Sequence, residues 1–70
     1  MKFSVVIPTK NRSECLEKLL ISILEQSILP YEIIVVDDSD NLRTRQLIHS
    51  FRKFFVEKNV KIRYLSVSRR

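Results

Sequence analysis

The chain has 70 residues, a formal net charge of +5 and 44% hydrophobic residues. Domains commonly run to roughly 100–200 residues, so this length allows one domain at most. A single cysteine, Cys15, forbids an internal disulfide, and a single histidine, His49, excludes the Cys/His ligand sets of structural zinc. The absence of glycine excludes the glycine-rich phosphate loops of the dinucleotide and Walker A types. With no apolar run of membrane length and no secretory leader in the sequence, the expectation is a soluble, cytoplasmic chain.

Charge is unevenly placed. Residues 1–42 carry four Lys/Arg and seven Asp/Glu, net −3, whereas residues 43–70 carry nine Lys/Arg and one Asp/Glu, net +8. A basic half suits an anionic partner such as a nucleotide, a nucleic acid or an acidic headgroup. The same pattern also describes a solvated helix face followed by an alternating strand, and charge runs are more often that.

Residues 2–7 read as a strand, with Phe3, Val5, Val6 and Ile7 apolar. Pro8 is expected to stop it, because proline offers no N–H to a ladder. A polar loop follows. Ser13 is a natural N-cap, and Asn11 with Glu14 is an alternative capping box. Leu16, Leu19, Leu20, Ile23 and Leu24 recur at helical spacing and make one apolar face. Cys15 reads as a small packed residue, since no catalytic partner is evident. Pro30 marks the exit.

Glu32–Asp37 is the second strand, and its run Ile33-Ile34-Val35-Val36 is typical of strands buried on both faces. Ser39, Asp40 and Asn41 are turn residues that also cap helices. Residues 42–57 read as a second helix, with Leu47, Ile48, Phe51, Phe54 and Phe55 on one side. Asn59 suits a helix end. Residues 60–64 alternate with period 2 and give a third strand that can run to Val67.

The order β-α-β-α-β with crossovers of this length implies a parallel α/β sheet, strand order 3-2-1, half of a doubly wound fold. Successive right-handed crossovers in one direction put both helices on one face. The other face is then left bare, and the first strand keeps a free edge. The expectation is a piece of something larger, or a chain that takes a protein partner through its open sheet edge. Exposed apolar area and open edges favour association.

Ligands of open α/β sheets bind beyond the carboxyl ends of the strands. Residues 8–11, 37–40 and 66–70 meet there. Carboxylates can accept from a base N–H or a ribose hydroxyl, and Lys or Arg can neutralise phosphate. Asp37, Asp38 and Asp40 have three readings: ligands of Mg²⁺, contacts to a ribose or base, or caps of the following helix. A response-regulator arrangement is rejected, because its acidic pair follows the first strand and this one follows the second.

Ser4-Val5-Val6-Ile7-Pro8-Thr9-Lys10-Asn11-Arg12 resembles the opening strand and loop of family 2 glycosyltransferases. The helix with Leu16, Leu19, Leu20, Ser22, Ile23, Leu24 and Gln26 is similar to that family's first helix, and Glu32-Ile33-Ile34-Val35-Val36-Asp37-Asp38-Ser39 to its second strand. The likeness is good over residues 3–48 and looser at residues 62–65. It implies the N-terminal part of a GT-A fold, with residues 1–70 as one partial, Rossmann-like domain. It further implies a nucleotide-sugar donor (UDP-, GDP- or dTDP-sugar), with Pro8, Thr9 and Asn11 lining the base pocket. Asp38 would contact base or ribose, and Asp37 would support the loop.

Two departures from the family pattern stand out. Lys10 occupies a position that is often aromatic, and Ser39-Asp40-Asn41 replaces a loop that is often Gly-Ser-Thr-Asp. The resemblance implies Mg²⁺ or Mn²⁺ for the full-length family, held by a later Asp-x-Asp motif. That motif and the catalytic base are expected beyond these 70 residues, so no catalytic or metal residue is assigned here. The expected function is therefore nucleotide binding at most for this chain, within an enzyme that transfers sugar to a polysaccharide, lipid or protein glycan. A full-length relative of this kind would associate peripherally with a membrane. The alternatives are a non-catalytic nucleotide-binding or partner-dependent module and, more weakly, a basic anion or nucleic-acid binder. Nucleic acid is not the expected partner, because no aromatic stacking platform is evident.

Overall fold

A computed structural model describes residues 2–67. The elements run β1 (Ser4–Thr9), α1 (Ser13–Leu24), β2 (Glu32–Asp37), α2 (Arg43–Glu57) and β3 (Lys61–Ser66). The three strands form one parallel sheet ordered β1-β2-β3. This is the expected 3-2-1 order read from the opposite edge.

Strand register decides which side chains meet. Val5 lies opposite Ile33, which lies opposite Ile62, and Ile7 opposite Val35 opposite Tyr64. These alternate residues share one face. They join Leu16, Leu20 and Ile23 of α1 and Ile48 and Phe55 of α2 in a single apolar cluster. Both helices therefore cover the same face, as two right-handed crossovers in one direction require.

The other face carries Val6, Ile34 and Arg63 in one row and Pro8, Val36 and Leu65 in the next. Val6 is 60% exposed and Leu65 45% exposed. Arg63 and Glu32 sit on this face 3.7 Å apart, with the arginine side chain 62% and the glutamate side chain 18% exposed. No described element covers it. The continuous apolar run of β2 does form a strand, but only Ile33 and Val35 are buried here, and Ile34 and Val36 on the other face are half-buried.

Several local expectations are corrected. Pro8 does not end β1 but lies inside it, paired with Val36. β1 is an edge strand, and proline is tolerated where its missing N–H faces the free edge. Ser13 is the first helical residue rather than the cap, and Arg12 precedes α1 with no side-chain cap bond. Asn11 makes no capping box and instead has φ 53°, in the left-handed region that asparagine tolerates better than most residues. Leu19 and Phe54 are exposed rather than core, and Cys15 is exposed rather than packed.

In a chain without glycine, Asn59 takes the left-handed position that ends α2, with φ 60°. The Asn59 N–H donates to the Val56 carbonyl at 3.0 Å and the Val60 N–H to the Phe55 carbonyl at 2.9 Å. This pair of bonds is a Schellman ending. It places Val60 against Phe55 and aims β3 back along the sheet.

Candidate functional site

At the carboxyl end of β1 lies a cleft of about 620 Å³. Ile7, Pro8 and Thr9 line one side, Cys15, Leu16 and Leu19 of α1 another, and Val36 and Val67 complete the apolar surface. Lys10, Arg12 and Asp38 bring charge to it. The sequence-derived residues Pro8, Thr9 and Asp38 therefore come together in one cavity. Asn11 and Asp37 are not part of its lining.

Asn11 and Asp37 instead form a scaffold beneath it. Asp37 is only 2% exposed. One oxygen of its carboxyl accepts the Ser39 N–H at 2.9 Å, and the other accepts the Tyr64 hydroxyl proton. The Ser39 hydroxyl oxygen in turn accepts the Asn11 N–H at 2.7 Å. The Asn11 side-chain oxygen accepts the Asp40 N–H at 3.1 Å. Between these anchors the Asp38 N–H donates to the Thr9 carbonyl at 2.9 Å. The loops after β1 and β2 are thus tied together through residues far apart in sequence, and the exposed Asp38 side chain is presented from a fixed backbone.

The capping reading of the carboxylates is replaced by a different arrangement. Asn41 Oδ1 accepts the Arg43 N–H at 2.9 Å, so an amide rather than a carboxylate bridges into the first turn of α2. Among the described residues, no group of three or more His, Cys, Asp or Glu side chains is placed to hold a metal ion. Asp37 already holds Ser39 and Tyr64. The described residues do not by themselves form a site for Mg²⁺ or Mn²⁺.

Among the described residues, Arg52 and Lys61 of the C-terminal half make separate structural contacts. Lys61 Nζ donates to the Tyr31 hydroxyl at 3.0 Å, and Lys2 and Lys61 both lie over the Tyr31 ring. Arg52 donates to the Ile62 carbonyl at 2.8 Å.

Tyr64 is not singled out from sequence, nor are Leu16 or Leu19 as site-forming residues, whereas Ser39 and Val67 fall within the segments expected at the strand ends. A signal for Tyr64 did exist. It follows Ile62 by two positions on the inward-facing side of β3, beside the strand that ends in Asp37. Burial, then the hydrogen bond to Asp37, push the Tyr64 hydroxyl from 10.0 up to about 12. The sign follows from linkage. The neutral phenol is favoured by folding, so its contribution is full below pH 10 and is lost as pH rises towards about 12. Ultraviolet difference titration is expected to show a phenolate transition near pH 12 that Tyr64→Phe removes. An unchanged titration in that variant would contradict the assignment.

By topology the chain is an open parallel α/β sheet with a cleft beyond the end of β1, the place where ligands bind in sheets of this class. More narrowly, it belongs to glycosyl transferase family 2, whose profile matches residues 4–70. It is similar to an uncharacterized glycosyltransferase, YwdF, of Bacillus subtilis, with 54% identity over 39 residues, 56% of this chain and 15% of that protein. It is 36% identical over 66 residues to a GalNAc(5)-diNAcBac-PP-undecaprenol beta-1,3-glucosyltransferase of Campylobacter jejuni, covering 86% of this chain and 21% of the relative. It is 37% identical over 54 residues to the poly(ribitol-phosphate) beta-N-acetylglucosaminyltransferase TarS of Staphylococcus aureus, covering 74% of this chain and 9% of the relative. The chain thus spans about a fifth or less of the curated relatives it matches. No solved structure gave a significant match. Among the described residues no helix is long and apolar enough to cross a membrane.

Proposed function

We propose that this chain forms the donor-nucleotide-binding part of a glycosyltransferase that moves a sugar from a UDP-, GDP- or dTDP-sugar to an acceptor. The observation that supports this is the cleft. An exposed carboxylate, Asp38, and two cations, Lys10 and Arg12, share one cavity with an apolar surface. A base fits the apolar surface of Pro8, Leu16, Leu19 and Val36. Asp38 accepts from a base N–H or a ribose hydroxyl, and Lys10 and Arg12 neutralise the diphosphate.

Glycosyl transfer also requires a stabilised leaving diphosphate and a base for the acceptor hydroxyl. In the full-length family, Mg²⁺ or Mn²⁺ would supply the charge for the first. This chain's residues bind and orient the nucleotide. Two relatives are named for a PP-undecaprenol-linked substrate and for poly(ribitol-phosphate). An acceptor that is a lipid-linked glycan or a polymer is consistent with those names.

Calorimetric titration of the chain with UDP, GDP and dTDP tests the proposal. At least one is expected to saturate a single site, and a single-stranded oligonucleotide is not. The proposal fails if none of the three binds. Oligonucleotide binding that falls steeply with salt would favour the basic-binder reading instead.

A further inference from the structure

We infer that Tyr64, on β3, is a positioning residue for the cleft at β1, acting through the buried carboxyl of Asp37 on the two loops that carry Asp38 and Asn11. The inference rests on the nucleotide reading for its ligand, but not for its geometry. Tyr64 lies outside the cleft lining. Its hydroxyl donates to Asp37, and the other oxygen of that carboxyl holds the Ser39 N–H. Ser39 is itself buried, and its hydroxyl oxygen holds the Asn11 N–H at 2.7 Å. Each bond fixes the acceptor or donor of the next, so the tyrosine on the third strand sets the loop after the first.

The chain of contacts has physical consequences for Asp38. The residues on both sides of it, Asp37 and Ser39, are the buried members of the network, while Asp38 itself is held through its backbone to Thr9. A buried acceptor that loses its donor must find another or move. With the Tyr64 hydroxyl gone, the Asp37 carboxyl is free to rotate, and its grip on Ser39 loosens. Asn11 then loses the bond that helps hold it at φ 53°, a backbone region that costs free energy for any residue but glycine. The change therefore reaches the cleft without removing any group that lines it. The Tyr64 ring, packed against the core, is kept in phenylalanine, which isolates the hydroxyl.

Three proteins test this, with UDP as the probe and at a temperature where all are fully folded: the unaltered chain, Tyr64→Phe and Asp37→Asn. In ligand-free amide spectra, Tyr64→Phe is expected to shift or broaden Ser39, Asn11 and Asp38 while leaving Val60 unmoved. Its UDP affinity is expected to fall about five- to tenfold, the weight of one buried hydrogen bond. Asp37→Asn is expected to retain affinity within about threefold, because its amide oxygen still accepts from Ser39 and its nitrogen donates to the Tyr64 oxygen. Unmoved Asn11 and Ser39 amides in Tyr64→Phe, or unchanged UDP affinity in a chain that binds UDP, would overturn the inference. If the unaltered chain does not bind UDP while Tyr64→Phe still moves those amides, the positioning stands and only the ligand reading falls.

Discussion

Asp38→Ala is expected to weaken nucleotide binding by about ten- to a hundredfold, the range set by one hydrogen bond to a charged group. The melting temperature should stay near that of the unaltered chain. The two expectations come from the same geometry. Asp38 exposes its side chain at the cleft, and its backbone N–H donates to the Thr9 carbonyl, a bond that alanine preserves. Asp38→Asn should fall between the two, because its amide oxygen still accepts while the charge is gone. Titration calorimetry and a thermal melt on the same preparations check both points. Unchanged affinity in Asp38→Ala would remove Asp38 from the site.

Phe55→Ala is expected to cost about 3–5 kcal/mol, as truncations of large buried aromatics do. At about 0.05–0.15 kcal/mol per residue, a chain of this length has roughly 4–10 kcal/mol in total. The substitution therefore removes much of the stability and lowers the midpoint of thermal unfolding sharply, or abolishes the cooperative transition. Phe55 is 0% exposed and sits in the cluster shared by α1, α2 and all three strands. Its carbonyl also accepts the Val60 N–H that turns the chain into β3. Phe54, one residue earlier, is 45% exposed. Phe54→Ala should stay within about 1 kcal/mol, the ordinary range for a surface change. A circular-dichroism melt of both variants separates them. Equal losses would mean that the core is not where the packing places it.

The contrast between Phe54 and Phe55 shows where the sequence was legible. Helical spacing put both on one side of α2 because the apolar stripe there is broad. The two rings make contacts of their own with Phe51, and only the tertiary packing of β3 decides which is enclosed. β2 was legible to the residue, because a continuous Ile-Ile-Val-Val run bounded by Asp has one sensible conformation. Topology was legible because short crossovers leave few parallel arrangements. Pro8 was misread as a stop because edge position, which makes proline tolerable, depends on which strand lies beside it.

The same division holds at the cleft. Pro8, Thr9 and Asp38 follow from strand ends and from the family resemblance, since the strand ends converge by topology. Asn11 and Asp37 were expected at the nucleotide, Asp37 as support for the loop. The geometry puts both in the layer that ties the loops, outside the lining. Their partners are Ser39 and Asp40 for Asn11, and Ser39 and Tyr64 for Asp37. Pairings between distant residues leave no periodic trace in a sequence. Cys15 was expected to be packed, because small apolar residues near a helix start usually are. Here the thiol side of α1 lines the cleft and is exposed.

That position gives the most direct measurement of the central claim. Cys15 is the only cysteine in the chain, it is exposed, and it lines the same cavity as Asp38. Its rate of alkylation by iodoacetamide should fall several-fold when UDP, GDP or dTDP occupies the cleft, and the protection should be lost in Asp38→Ala at the same nucleotide concentration. An alkylation rate that no nucleotide changes, up to millimolar concentrations, would contradict a nucleotide site at the carboxyl end of β1.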